Sequence, residues 1–224
     1  MMALVKSTDK VQVFDDFLPE DQFQEIWKFV QAQSYISPQT SGEWLKIWRL
    51  SDGHPLIGTL IWCLSQRPLN NPFDYLLEPV VELAGQNASI RDWQDVSCRV
   101  FLYPRGTKLS WHNDAGNYAG AFTFYVHPRW GSTWGGELLV AEVPPLNQVF
   151  SATPTPPHLN HEWEDDYLSI RGVGQYITPK PNRLVLMAPG VFHGINRVDA
   201  DAGDNVRCSV QGFFIKESKS SGAK

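Results

Sequence analysis

The chain has 224 residues, 42% of them hydrophobic, enough to bury a full core as one domain. Its net charge of -5 leaves no electrostatic footprint for nucleic acid, and no apolar run approaches membrane-spanning length. Three scattered cysteines, Cys63, Cys98 and Cys208, are too few for a disulfide framework or a thiolate metal site, and they read as reduced thiols. The opening Met1-Met2-Ala3-Leu4-Val5-Lys6 lacks the apolar core of a signal peptide, so the expected location is the cytoplasm.

Residues 11 to 17 read as a short strand, and Pro19 opens a helix whose Phe23, Ile26, Trp27 and Val30 form an apolar stripe at i, i+3, i+4 and i+7. Between turn signals, Glu43 to Leu50 alternates well enough to be a strand, with Trp44, Lys46 and Trp48 on one face. Leu56 to Leu64 has the look of a buried helix. Asn71-Pro72 caps another that runs towards Leu83, with Pro79 bending it. From Asp95 onward the chain turns into short alternating segments broken by Gly, Pro, Asn and Asp, the texture of a sandwich or barrel of strands.

In that half, Asn117 to His127 reads as a strand with Ala121, Thr123 and Tyr125 on one face and Phe122, Phe124 and Val126 on the other. Trp130 to Gly136 turns into a strand over Glu137 to Val143. Residues 144 to 172 form a long Pro-rich connection of the kind used for lids and binding loops. Its His158, His161, Glu162, Asp165 and Asp166 imitate a metal cluster but match the composition of a flexible acidic loop. Pro181 to Ala188 and Val206 to Lys216 give the last strands before a Lys/Ser/Gly tail.

The chemistry starts at His112-Asn113-Asp114. On an extended chain, side chains two apart project together, so His112 and Asp114 can share a metal. Alone the pair means little, since a turn-forming Asp near a surface His has the same pattern. Further along, Pro189-Gly190-Val191-Phe192-His193-Gly194-Ile195 supplies a second histidine, and two histidines with one carboxylate suit non-haem Fe(II). On the last strand Arg207, Ser209, Gln211 and Phe213 share a face. A guanidinium beside a hydroxyl is suited to hold a carboxylate, and with the triad it describes a site for 2-oxoglutarate.

The sequence resembles the Fe(II)/2-oxoglutarate-dependent dioxygenases, and within them the prolyl 4-hydroxylase-like branch. The matching pieces run in order over residues 98 to 214: Tyr103-x-x-Gly106-x-x-Leu109-x-x-His112-x-Asp114, Phe124-Tyr125-Val126-x-x-x-Trp130, Gly135-Gly136-Glu137-Leu138, Asn182-Arg183-Leu184-Val185, His193-Gly194-Ile195 and Gly203-x-x-x-Arg207-x-Ser209.

The resemblance implies a mainly β fold with supporting helices, a double-stranded β-helix (jelly roll, cupin-like) in which the His112/Asp114 and His193 strands lie side by side. One domain is expected over 1–217: mostly helical support in 1–94, the β-helix core in 95–217 with the 144–172 insertion, and a disordered tail, 218–224. It implies His112, Asp114 and His193 as ligands of Fe(II), Arg207 as the grip on the distal carboxylate of 2-oxoglutarate, Tyr125 and Tyr103 as its hydrogen-bond partners and Ser209 beside them. O2 is then the second cosubstrate, and succinate and CO2 the products of 2-oxoglutarate.

Because Asp114 is present, hydroxylation of an unactivated C–H is favoured over halogenation, in which similar enzymes carry a small residue there. The long 144–172 segment points to a small-molecule or amino-acid-derived substrate under a lid, with Trp111, Trp44 and Trp48 supplying contact area. A prolyl hydroxylase acting on a protein or peptide is the alternative, and a non-catalytic metal-binding β-helix protein follows.

Overall fold

The computed structural model describes residues 2–37, 53–114, 116–142 and 172–216. The predicted alternation resolves into two antiparallel sheets. The larger takes in β1 (Ala3–Ser7), β2 (Val11–Asp15), β3 (Leu56–Ile57), β4 (Ile61–Trp62), β5 (Trp93–Tyr103), β7 (Tyr118–Tyr125), β10 (Leu184–Met187) and β12 (Arg207–Lys216). Its order is β1-β2-β10-β7-β12-β5-β3, with β4 also paired to β5. The smaller sheet has the order β6-β11-β8-β9, from β6 (Leu109–His112), β8 (Leu138–Ala141), β9 (Gly174–Ile177) and β11 (His193–Ile195). Two sheets with these crossovers make the jelly roll, carried on two helices.

Period two sorts the larger sheet into two cores. Phe122, Phe124, Val210 and Phe214 point to one side and meet helix α1 (Glu20–Gln31) and helix α2 (Phe73–Gln86). The helices answer with Phe23, Ile26 and Val30 from the first and Phe73, Leu76, Leu77, Val80 and Ala84 from the second, each at helical spacing. Ala121, Tyr125, Phe101 and Tyr103 point the other way and meet Leu138, Val140 and Ile195 of the smaller sheet. The space between the sheets is where a ligand can sit. No helix among the described residues is long and apolar enough to cross a membrane.

Leu56 to Leu64 is not a helix. It forms β3 and β4, which add to the edge of β5 through Gly58 N–H to Val100 O at 2.9 Å and Cys63 N–H to Val96 O at 2.6 Å. Gly58 is a poor helix former in the middle of the run, Ile57, Thr59 and Ile61 are β-branched, and an unfilled strand edge offers the peptide groups partners that one helical turn would not better. Residues before 94 therefore supply four strands of the larger sheet as well as two helices. The strand predicted over 43–50, with Trp44 and Trp48, and the 144–172 segment, apart from Gly172, lie outside the described residues.

Asn182 ties the N-terminal segment to this frame. At φ 56°, its side-chain oxygen accepts from Leu18 N–H at 2.9 Å and its amide donates to Leu18 O at 2.8 Å. Beside it Arg183 forks onto Asp15, at 2.6 and 3.0 Å. Burial raises the Asp15 carboxyl, but hydrogen bonds from Arg183 and Lys180 and their charges outweigh it and hold the group below the ordinary carboxylate range.

Candidate active site

β6 and β11 run antiparallel with His112 opposite His193. Between His193/Ile195 on one strand and His112/Leu109 on the other, β6 carries one extra residue, a bulge. The bulge aims both Leu109 and His112 into the space between the sheets. Asp114, just past the end of β6, completes a cluster in which one ligand atom of each of His112, Asp114 and His193 lies within 4.8 Å of the others. His112 Nε2 stands 3.8 Å from Asp114 Oδ1, and His193 Nε2 is 3.4 Å from Asp114 Oδ2. A single first-row ion holds ligand atoms about 3 Å apart, so this spacing fits one with little closure.

The outer nitrogens decide what the rings can do. His112 Nδ1 is 2.6 Å from Ser110 O and His193 Nδ1 is 2.9 Å from Val191 O. A carbonyl only accepts, so each Nδ1 carries the proton, and in the neutral ring each Nε2 presents a lone pair to the cluster. That is the donor set of a two-histidine, one-carboxylate face with positions left open.

The same cleft is otherwise apolar. Around the three ligand candidates stand Phe101, Leu109, Ala121, Leu138, Met187, Ile195 and Phe213, with Thr123 and Gln211 as the neutral polar groups among the described residues, and the cleft opens to solvent. Gln211 and Phe213 were legible as cleft residues, because they share the strand face of Arg207 and Ser209. Met187 and Thr123 were not singled out, though Thr123 shares the predicted face of Ala121 and Tyr125. At the rim, Tyr118 stacks on Phe213 at 4.4 Å, and burial together with the Asp114 charge raises its phenol above the ordinary range.

Arg207 begins β12 with 0% of its surface exposed. Its Nε donates to Gly136 O at 2.8 Å, and its two terminal nitrogens reach Ser209 Oγ at 3.3 Å and Tyr125 Oη at 3.4 Å. The guanidinium lies over the rings of Tyr125 at 4.9 Å and Tyr103 at 5.3 Å. No carboxylate among the described residues pairs with it. A wholly buried cation whose partners are one carbonyl and two hydroxyls at long range keeps its charge uncompensated unless an anion joins it, so the pocket fits the carboxylate of a cosubstrate.

The structure thus brings together His112, Asp114 and His193, and brings Arg207, Ser209, Tyr125 and Tyr103 together around the guanidinium. Trp111 does not join them. It stacks on Phe192 at 5.3 Å and lines a groove with Leu139, Val173 and Tyr176 on the outer face of the smaller sheet. The alternation that sends His112 inward turns its neighbour outward.

A family model for the 2OG-Fe(II) oxygenase superfamily matches residues 98–215. The chain belongs to that superfamily. It is an oxygenase that works with Fe(II), 2-oxoglutarate and O2. Its fold is similar to a Pseudomonas putida prolyl-4-hydroxylase, at 18% identity and TM-score 0.60, covering 93% of this chain and 94% of that one. It is similar also to a Trichoplax adhaerens prolyl hydroxylase in complex with a hypoxia inducible factor peptide fragment, at 16% identity, TM-score 0.62 and coverage of 94% and 85%. A collagen prolyl hydroxylase of Paramecium Bursaria Chlorella virus-1 matches at 12% identity and TM-score 0.51, with 91% and 94% covered. No curated protein sequence matches the chain.

Proposed function

We propose that the protein is a hydroxylase of an unactivated C–H bond in an uncharged, largely apolar group of a small-molecule or amino-acid-derived substrate. The observation that carries this reading is the cleft wall, where, among the described residues, apolar side chains surround the three ligand candidates and only neutral Thr123 and Gln211 offer hydrogen bonds. His112, Asp114 and His193 hold Fe(II), and Arg207 grips the distal carboxylate of 2-oxoglutarate with Tyr125, Tyr103 and Ser209 around it. When bound, the metal with 2-oxoglutarate and O2 supplies decarboxylation to succinate and CO2, one oxygen atom entering succinate and the other the substrate. The protein's part is to fix the imidazoles by their backbone bonds, neutralise the buried guanidinium with the cosubstrate and keep water from the apolar wall.

A second reading, hydroxylation of a prolyl residue in a peptide, is favoured by the likeness to prolyl hydroxylases over nearly the whole chain. The pyrrolidine ring is itself compact, apolar and uncharged, and so suits the same wall. One assay separates the two: succinate release and a gain of one oxygen by mass, measured with free amino acids and small apolar acids against prolyl peptides. Coupled turnover with free compounds supports the first reading. Turnover confined to peptides replaces it with the second.

A further inference from the structure

His127 lies two residues beyond Tyr125 and is 2% exposed, yet it belongs neither to the ligand cluster nor to the cleft wall. Its ring stands where a strand would offer a peptide carbonyl. Val126 N–H donates to Cys208 O at 3.0 Å, and the return bond of that antiparallel step, from Cys208 N–H, goes to His127 Nδ1 at 3.1 Å. On the far side Nε2 is 2.6 Å from Pro179 O, a contact only a protonated nitrogen can make. Nδ1 is also 3.1 Å from Cys208 O, which only a doubly protonated ring could use. Burial and the charge of Arg207 keep the ring neutral, so Nδ1 accepts and Nε2 donates.

Cys208 is the residue between Arg207 and Ser209, so the imidazole fixes the backbone from which both clamp side chains project. The ring also packs on Trp130, at 4.8 Å. Trp130 donates to Gly135 O at 2.9 Å, and the next carbonyl, Gly136 O, takes the Nε of Arg207 at 2.8 Å. One side chain therefore braces the strand that carries the guanidinium and the turn that orients it.

We infer that His127 is a positioning residue for the 2-oxoglutarate clamp, setting the place of Arg207 without touching cosubstrate or metal. This rests on the reading of Arg207 as the carboxylate grip. The test replaces His127 with Phe, which keeps a ring against Trp130 but leaves Cys208 N–H without an acceptor, and with Asn, whose oxygen restores an acceptor where Nδ1 stood. Binding of 2-oxoglutarate to the Fe(II)-loaded protein without O2 is measured by isothermal titration, with Fe(II) affinity alongside and Arg207→Lys as the control.

A buried donor left unpaired and a guanidinium shifted by a fraction of an ångström should weaken 2-oxoglutarate binding about tenfold in His127→Phe, while Fe(II) affinity stays unchanged. His127→Asn should fall between that variant and the parent. If the Phe variant does not fold, the Asn variant decides: weakened 2-oxoglutarate binding at unchanged Fe(II) affinity supports the inference, and parental binding overturns it. Parental binding in His127→Phe with weakened binding in Arg207→Lys overturns the role of His127 alone. Unchanged binding in both overturns the clamp reading as well.

Discussion

Both imidazoles of the cluster are held by backbone bonds, and His193 is the more buried of the two, at 6% exposed. Removing its ring takes away a ligand and leaves a void in a place where Val191 O can turn to water. His193→Ala should therefore lose Fe(II) binding and turnover while the far-ultraviolet circular dichroism stays that of the parent, and full turnover in that variant would sink the iron assignment. Arg207 calls for a different readout, because its partners are two hydroxyls and a carbonyl and its natural counter-charge is the cosubstrate. Arg207→Ala should raise the concentration of 2-oxoglutarate needed for half-maximal rate by about a hundredfold or more, the loss of a charge-assisted, two-pronged bond, with a far smaller change for the oxidised substrate. Equal changes for both would move the carboxylate grip elsewhere.

Between neighbouring elements the site depends on close approach, and Gly136 shows it. At φ 73° it occupies the left-handed region, and a Cβ there would stand 2.9 Å from Arg207 Cδ. Gly136→Ala should cost about 1–2 kcal/mol from the backbone alone and also push the guanidinium away from Tyr125, so urea denaturation and the 2-oxoglutarate requirement should worsen together. A variant with parental stability and binding would show that the turn yields freely. The Gly135-Gly136 pair was visible in the sequence, as were β7, β8, β10 and β12, because period-two alternation punctuated by glycine and proline is a local signal. The ligand cluster was visible for the same reason, two of its members being two residues apart. Leu56 to Leu64 was misread because what makes it strand is the open edge of β5 some 40 residues later in the chain, which no local pattern announces. The bulge in β6 that brings Leu109 into the cleft was hidden likewise, since it exists only in the register against β11.

Over the whole molecule, two cores lie back to back on one sheet, one facing the helices and the other enclosing the cleft, and unfolding exposes both. His127 sits at the junction of β7, β12 and the Pro179 loop, and its surroundings make global stability depend on pH. Burial first, then the Arg207 charge, lowers its pKa from 6.5 to about 4, against backbone bonds to Pro179 and Cys208 that pull the other way. Above pH 6.5 the ring is neutral in folded and unfolded chains alike, and the folded state carries no penalty. As pH falls from there towards 4, the unfolded chain takes up a proton that the folded chain refuses, so stability is lost across that window. Below about 4 both forms are protonated and this contribution changes no further. A shift of that size corresponds to about 3 kcal/mol in all. Carboxylates of the unfolded chain also take up protons at the lower end, so the measurement has to be a difference. Urea unfolding at pH 7 and pH 4.5 should show the parent losing some 2–3 kcal/mol more than His127→Asn, whose side chain does not titrate. Equal losses in the two proteins would mean that the folded state protonates His127 as readily as water does, and that the ring does not serve as the neutral acceptor for Cys208 N–H.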